Sequence, residues 1–109
     1  MRRRNEKHLA FIRTLPCISC LDNTGTQAAH IRFADARIAK PITGIAIKPD
    51  DRFVLPLCQT CHQGQHNMNE RKFWEWKGID PVLTSLAIYS VSGDAEAAEE
   101  IISATKSTR

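Results

Sequence analysis

The sequence has no long apolar run. No stretch approaches the roughly 18 consecutive apolar residues that a membrane span needs, and the first five residues lead into a mixed polar segment instead of the apolar core of a signal peptide. We therefore expect no membrane contact and a cytoplasmic location. Internal repeats and low-complexity tracts are also missing, and with 42% hydrophobic and 25% charged residues the composition is that of a folded globular protein.

The chain also has few residues with which to build a core. Its 109 residues leave room for a single domain, residues 1–109, and a domain of this size buries too little apolar surface to be comfortably stable without a metal or a covalent cross-link. Four cysteines are present. Because disulfides are rare in the reducing cytoplasm, the spacing of these cysteines is interpreted first as metal chemistry.

The net charge of +3 is modest, but it is unevenly distributed. Basic residues open the chain and acidic residues gather near its end. The basic residues are Arg2, Arg3, Arg4, Lys7 and Arg13, and the acidic ones are Asp94, Glu96, Glu99 and Glu100. A basic first segment suits a polyanion, and the solvated face of a helix gives the same pattern.

Apolar spacing and helix-breaking residues predict a mixed order of helices and strands. The predicted helices cover residues 5–15, 58–68 with a break or bend around 64–69, 69–77, 81–89 and 94–102. The predicted strands cover 26–33 and 53–57, with a long irregular connection over 34–51. Asn69 and Asp94 are predicted caps, Gly78 ends a helix and Pro81 begins one. The predicted fold class is α+β, with a strand, strand and helix core over residues 17–68, a helix before it, and a helical extension over residues 69–105.

Two matched cysteine pairs, Cys17-x2-Cys20 and Cys58-x2-Cys61, are separated by 37 residues. Each pair can form a turn that offers two sulfurs, so that four thiolates fill the tetrahedral sphere of one Zn2+. A filled sphere leaves no position for substrate, and the zinc is therefore predicted to be structural, joining the first helix to the start of the helix that carries His62. Unrelated thiols, a redox-active pair and an iron-sulfur cluster are the alternatives, although the usual spacings of the last differ from these.

His62 and His66 are four residues apart, which places both on one face of a helix, one turn apart. Two imidazoles with open coordination positions suit a catalytic divalent cation, and His62 directly follows the zinc ligand Cys61. His30, on the strand before the long connection, can activate a water as a general base without binding the metal. This combination fits phosphodiester hydrolysis. A buried structural histidine is the alternative for His30, and His8 is assigned no role.

The order of these motifs resembles a nuclease family. Cys17-x2-Cys20, Ala29-His30 and Leu57-Cys58-x2-Cys61-His62-x3-His66 resemble the zinc-containing HNH endonucleases, whose ββα-metal (His-Me finger) core is two strands and a helix around a metal ion. The stretches Ala29-His30-Ile31-Arg32-Phe33, Gly44-x3-Lys48-Pro49-Asp50-Asp51 and Pro56-Leu57-Cys58 look closer still to prophage HNH proteins of the DUF968 and Ref-like families. The resemblance covers residues 17–66.

The resemblance implies a role for several residues. His30 is the general base, and His62 and His66 hold the catalytic metal, which agrees with the assignment from spacing. The HNH asparagine that orients the base has Asp51 as its nearest counterpart in this chain, ahead of Asp50. The implied ion is Mg2+ or Mn2+, with Zn2+ or Ni2+ as occupants in a crystal because imidazole binds them more tightly.

One position departs from the pattern of the resemblance. Many relatives carry an aspartate or histidine metal ligand directly before the base, where this chain has Ala29. Waters and the substrate phosphate would then complete the sphere of the metal, or Asp35 or Asp50 would swing in.

The implied substrate is DNA, and four cations in or just before the long connection are candidates for phosphate contacts: Arg32, Arg37, Lys40 and Lys48. Such contacts position DNA without reading its sequence, so weak sequence preference is expected. Trp74 and Trp76, with Phe73, are predicted to pack the tail onto the core, and stacking on bases is the alternative. The expected function is DNA hydrolysis in phage or prophage recombination. The alternatives are an inactive HNH-scaffold zinc module that binds DNA or a recombination protein, and a redox protein.

Overall fold

The computed structural model describes residues 5–38 and 50–107, with side chains up to residue 105. This part of the chain contains five α-helices and two strands, so the predicted α+β class is confirmed. In chain order the elements are α1 (Glu6–Ile12), β1 (Gln27–His30), a 3-10 turn (Ala36–Ile38), β2 (Val54–Leu57), α2 (Gln59–Asn67), α3 (Glu70–Lys77), α4 (Pro81–Ser90) and α5 (Ala95–Ser107). None of the described helices is long and apolar enough to cross a membrane.

The two strands pair antiparallel, with Gln27 opposite Leu57 and His30 opposite Val54. All four residues of β2 are buried, because α1, α2 and α4 contact this strand. Pro56 has no backbone N–H to donate to the ladder. It is tolerated in β2 because this strand is an edge strand of a two-stranded sheet in the described residues. The first strand, predicted over residues 26–33, was four residues too long, because β1 covers Gln27–His30. Beyond its end the backbone N–H of Arg32 donates to the side chain of Glu70 instead of continuing the ladder.

The predicted caps and the predicted helix start at Pro81 are confirmed in the second half of the chain, whereas α5 runs to Ser107, past its predicted end at residue 102. The side chain of Asn69 accepts from the backbone N–H of Lys72, Gly78 has the left-handed φ of 70° that ends α3, and Pro81 opens α4. The side chain of Asp94 accepts from the N–H of Ala97 at the start of α5. These four residues act locally, which is why sequence alone placed them correctly.

Helix α2 is continuous through Gly64 and ends at Asn67, where Met68 takes an extended conformation, so the break predicted around residues 64–69 is confirmed at Met68 and not at Gly64. Phe73 of α3 packs on this glycine, and a Cβ built there would lie 3.4 Å from Cε1 of Phe73. Helix α3 therefore packs closely on α2 at Gly64, at a distance that still leaves room for a Cβ in ordinary van der Waals contact.

One hydrophobic core joins these elements. It contains residues from α1, both strands, α3, α4 and α5, and the first cysteine turn also contributes to it. Its largest fully buried side chains include Trp74, Phe73, Ile12, Leu15 and Ile18. The two strands and α2 are thus held from several sides, which leaves the end of β1 and one face of α2 to form a site.

Candidate functional site

The four cysteines converge, as their spacing predicted. Sγ atoms of Cys17, Cys20, Cys58 and Cys61 all lie within 4.8 Å of one another, and those of Cys20 and Cys58 are 3.7 Å apart. A tetrahedral zinc with Zn–S bonds of about 2.3 Å needs sulfurs about 3.8 Å apart. The cluster is therefore compatible with one zinc ion.

Two local structures present these sulfurs. The first pair lies in a turn in which the N–H of Leu21 donates to the carbonyl of Cys17, and the N–H of Ile18 donates to the carbonyl of Pro56 on β2. The second pair lies at the start of α2, with Cys58 as its N-cap residue and Cys61 one turn later. Strand β2 thus connects the two halves of the cluster.

The thiols influence one another's protonation. Burial raises the pKa of Cys61 to about 12, and burial also raises the pKa of Cys20. For Cys58 burial acts in the same direction but is outweighed by hydrogen bonds from the backbone and side chain of Cys61, so that its pKa is lowered. Binding of a divalent cation would displace the protons of these thiols and convert the cluster to four thiolates.

His30 and Asp51 form a hydrogen-bonded pair at the end of β1. Nε2 of His30 is 2.9 Å from Oδ1 of Asp51, and the two side chains are 21% and 3% exposed. A carboxylate at this nitrogen accepts Nε2–H, which leaves Nδ1 of the neutral ring as the proton acceptor. In this tautomer the ring of His30 can accept a proton at Nδ1.

Asp51 is itself held by a residue that the sequence did not point to. Its Oδ2 accepts the backbone N–H of Asn5 at 2.8 Å, and the side chain of Asn5 caps α1 by accepting from the N–H of His8. The start of α1 thereby fixes the carboxylate that orients His30.

His62 and His66 lie together on α2. Their Nε2 atoms are 3.1 Å apart, close to the roughly 3.4 Å between two nitrogens that bind one zinc at tetrahedral angles. Burial, with smaller effects from His66, His30 and Arg32, lowers the pKa of His62. His62 therefore stays neutral more readily, which is the form that binds a metal. Nδ1 of His62 is 2.6 Å from Oε1 of Gln27, a partner that the sequence also did not reveal.

A cavity of about 190 Å³ connects the two histidine groups. It is lined by His30, Arg32, Gln65, His66, Met68 and Glu70. Gln65 donates from Nε2 to the carbonyl of His30 and to the carboxylate of Glu70, which also accepts the N–H of Arg32. This network fixes the end of β1 against α2 and α3.

No additional ligand joins the two α2 histidines in the described part of the chain. There the four cysteines are the one group of three or more Cys, His, Asp or Glu whose ligand atoms converge. Ala29 is fully buried, Asp50 is bonded to the guanidinium of Arg52, and Asp35 is bonded to Arg37. Either aspartate would have to leave an arginine in order to reach a metal.

The predicted phosphate contacts differ in their surroundings. Arg32 lines the cavity beside His30, whereas the guanidinium of Arg37 is paired with Asp35 and Asp80. The same pairing lowers the pKa of Asp35 to about 2. Lys40, Lys48 and the basic run at residues 2–4 lie outside the described residues.

The two tryptophans of α3 differ in their exposure to solvent. Trp74 is 1% exposed, as predicted, but the prediction for Trp76 is wrong, because its side chain is 69% exposed. Lys77 lies over its ring, with Nζ 4.1 Å from the ring centroid. The pattern of α3 explains the difference, since Phe73 and Trp74 already fill the buried face of this short helix.

The comparisons with known proteins give one match. A family model described as "Protein of unknown function (DUF968)" matches residues 1–90. No curated protein and no solved structure shows significant similarity to the chain.

Proposed function

We propose that the chain, which belongs to the DUF968 family of proteins of unknown function, is a metal-dependent HNH endonuclease that hydrolyses DNA phosphodiester bonds with weak sequence preference, in phage or prophage recombination or DNA processing. The observation that carries the proposal is the single cavity lined by His30 and His66, in which His30 is held by Asp51 and His66 lies beside His62. The order β1, β2, α2 is that of a ββα-metal core.

In this proposal His30 is the general base. Nδ1 takes a proton from the attacking water while Asp51 stabilises the imidazolium through Nε2–H. Asp51 remains in place because its second oxygen accepts the N–H of Asn5. Proton transfer of this kind contributes a factor of about 100 to 10,000 to the rate.

His62 and His66 hold the catalytic cation, Mg2+ or Mn2+. When bound, such an ion neutralises charge that develops on the phosphate and on the leaving oxygen. Arg32 at the rim of the cavity contacts a neighbouring phosphate, which positions the strand without reading its sequence.

The cysteine cluster holds the start of the helix that carries the two metal-binding histidines. Cys61 and His62 are adjacent on α2, so zinc bound by the cysteines fixes the start of the helix that presents His62 and His66. Its role is structural, because four thiolates complete a tetrahedral sphere.

Nicking of supercoiled plasmid tests the proposal. The wild-type protein is expected to nick DNA with Mn2+ or Mg2+, and His30→Ala is expected to lower the rate by about 100-fold or more. The variant must keep one zinc per chain and the circular dichroism spectrum of the wild type. Equal nicking by the two proteins would show that a contaminant or another residue is responsible.

A second candidate is a DNA-binding or recombination-protein-binding zinc module that has lost catalysis. The buried Ala29, at a position where a ligand would otherwise coordinate, favours it. This module binds DNA and cleaves none with any divalent ion, whereas the nuclease cleaves with at least one.

A further inference from the structure

The side chain of Gln27 makes a contact that neither the cysteine cluster nor the His30–Asp51 pair uses. Gln27 lies on β1, two residues before Ala29 and therefore on the same face of the strand. Its Oε1 is 2.6 Å from Nδ1 of His62, across 35 residues of sequence. An exposed strand residue thus reaches directly to one of the two histidines that we assign to the catalytic metal.

We propose that Gln27 is the positioning residue of the metal-binding pair, because its amide oxygen holds Nδ1–H of His62 and so directs Nε2 of that ring toward Nε2 of His66. The inference rests on the proposed function in so far as it takes His62 and His66 as ligands of a divalent cation. Gln27 itself touches neither the cation nor the substrate.

The chemistry follows from the two ring nitrogens of His62. A neutral imidazole carries one proton, and the amide oxygen of Gln27 can only accept, so the proton belongs on Nδ1 and the lone pair on Nε2. Metal-binding histidines usually donate their second nitrogen to an oxygen in this way, which fixes the ring and raises its basicity as a ligand. Gln27 supplies that oxygen here.

The hydrogen bond from His62 to Gln27 also determines which ring nitrogen of His66 carries the proton. Nε2 of His62 accepts, so the 3.1 Å contact between the two rings requires that His66 carry its proton on Nε2 when no metal is bound. To bind a cation through Nε2, a neutral His66 would instead carry its proton on Nδ1, so that the Nε2 lone pair of each ring would be available to the ion. His62 is therefore already in its binding form, and His66 is the ring that changes.

Strand β1 offers the site a hydrogen-bond acceptor at Gln27 and no metal ligand at Ala29. Ala29 is buried and has no ligand atom, whereas Gln27 lies one strand repeat earlier on the same face. The strand then contributes an orienting oxygen to a ligand on α2 instead of a ligand of its own. Two imidazoles without a carboxylate favour a first-row transition ion over Mg2+.

The first test reads the tautomer of His62 in the zinc-loaded protein without added metal. Nitrogen chemical shifts of the ring are expected to report Nδ1–H in the wild type and in Gln27→Glu, whose carboxylate also accepts. In Gln27→Met, which keeps the length of the side chain but cannot accept through oxygen, the Nδ1–H form is expected to lose its dominance. A wild-type His62 protonated on Nε2 would overturn the proposal whatever the nuclease assay gives.

The second test measures Mn2+ binding by calorimetry on the same zinc-loaded proteins. Gln27→Met is expected to weaken Mn2+ by about 10- to 100-fold, the usual effect of removing such a partner, and Gln27→Glu is expected to restore binding. The matched control is Gln63→Met, at an exposed glutamine of α2, which should bind Mn2+ as the wild type does. Equal affinity in Gln27→Met and the wild type would overturn the proposal.

The two proposals fail in different ways. If the wild type binds Mn2+ but cleaves no DNA, while Gln27→Met loses affinity, the nuclease proposal fails and the role of Gln27 stands. If the wild type cleaves DNA and Gln27→Met retains its affinity, the role of Gln27 fails alone. Absence of Mn2+ binding in the wild type would overturn the role of Gln27, and absence of cleavage with Mg2+ as well would overturn both proposals.

Discussion

Nε2 of His30 lies 2.9 Å from Oδ1 of Asp51, which joins the end of β1 to the turn before β2. The carboxylate is nearly inaccessible to solvent, and its other oxygen accepts the N–H of Asn5, 46 residues away in sequence. Because a buried carboxylate with two donors has little freedom to move, the ring of His30 is held in one orientation.

Asp51→Asn is the substitution that isolates this orientation. The oxygen of an amide can accept from only one of the two donors, and its N–H groups face the other. We therefore expect slower DNA cleavage, with a larger effect on kcat than on KM. We also expect a loss of about 1–3 kcal/mol in unfolding free energy. Asp50→Asn is the matched control, because Asp50 is bonded to Arg52, and it should lower cleavage less. Equal losses in the two variants would argue against the His30–Asp51 pair.

Removal of zinc should unfold the junction between the first cysteine turn and α2. Zinc binding to four thiolates supplies on the order of 10 kcal/mol in small domains, so a strong chelator or Cys58→Ser is expected to reduce helix content and thermal stability sharply. Metal analysis should give one zinc per wild-type chain. A Cys58→Ser protein with wild-type zinc content and stability would contradict a four-cysteine site.

The cysteine pairs and the helix caps could be predicted because each depends on residues close together in sequence. Cys17 and Cys20 share one turn, as do Cys58 and Cys61. The contact of Gln27 with His62 could not be predicted in this way, because it joins a strand to a helix 35 residues later.

The partner of Asp51 escaped prediction for a related reason. The donor at Asn5 is a backbone N–H, which every residue except proline carries, so no side-chain pattern indicates it. Resemblance pointed to Asp51 as the orienting residue, and packing of α1 against the sheet brought Asn5 to it.

Two glycines give a test of backbone conformation, because the same substitution should act with opposite signs. Gly64 lies within α2 and its added Cβ would make ordinary contact with Phe73, so Gly64→Ala is expected to raise the unfolding free energy by about 0.5–1 kcal/mol. Gly25 has a φ of +67° and no atom within 4 Å of an added Cβ, so Gly25→Ala should lower it by about 1 kcal/mol through strain alone. Denaturant midpoints measure both, and a destabilised Gly64→Ala would mean that Phe73 cannot adjust.

His8 predicts how stability depends on pH. It is fully buried, stacks edge-on against Tyr89 and has Nδ1 2.7 Å from Oγ of Ser92. Burial lowers the pKa of His8 below its usual 6.5, and the nearby charge of Asp51 opposes this only in part. His8 therefore binds a proton more tightly in the unfolded chain than in the folded protein. The free energy of unfolding should fall as the pH drops from about 6.5 toward the lowered pKa, and His8 should have little effect on it above about pH 6.5.

Urea midpoints at a series of pH values measure the contribution of His8. The variant His8→Gln should be less stable at neutral pH, because it loses packing in the core, but its stability should fall less steeply as the pH drops below about 6.5. Titration of the other three histidines is common to both proteins and cancels in the comparison. Parallel curves would rule out His8 as the source of acid sensitivity.

Arg32 and Arg37 are two arginines in different surroundings, since Arg32 faces the site and Arg37 is paired with carboxylates. Arg32 lines the cavity with His30 and His66, while Arg37 is held between Asp35 and Asp80. Arg32→Ala should weaken DNA binding in the absence of cleavage and reduce the slope of log affinity against log salt by about one unit, the contribution of one phosphate contact. Arg37→Ala should have a smaller effect on both, because a phosphate must compete with two carboxylates for the same guanidinium. Fluorescence anisotropy over a salt series measures the two slopes, and a larger change for Arg37 than for Arg32 would place the DNA along α4 instead of across the cavity.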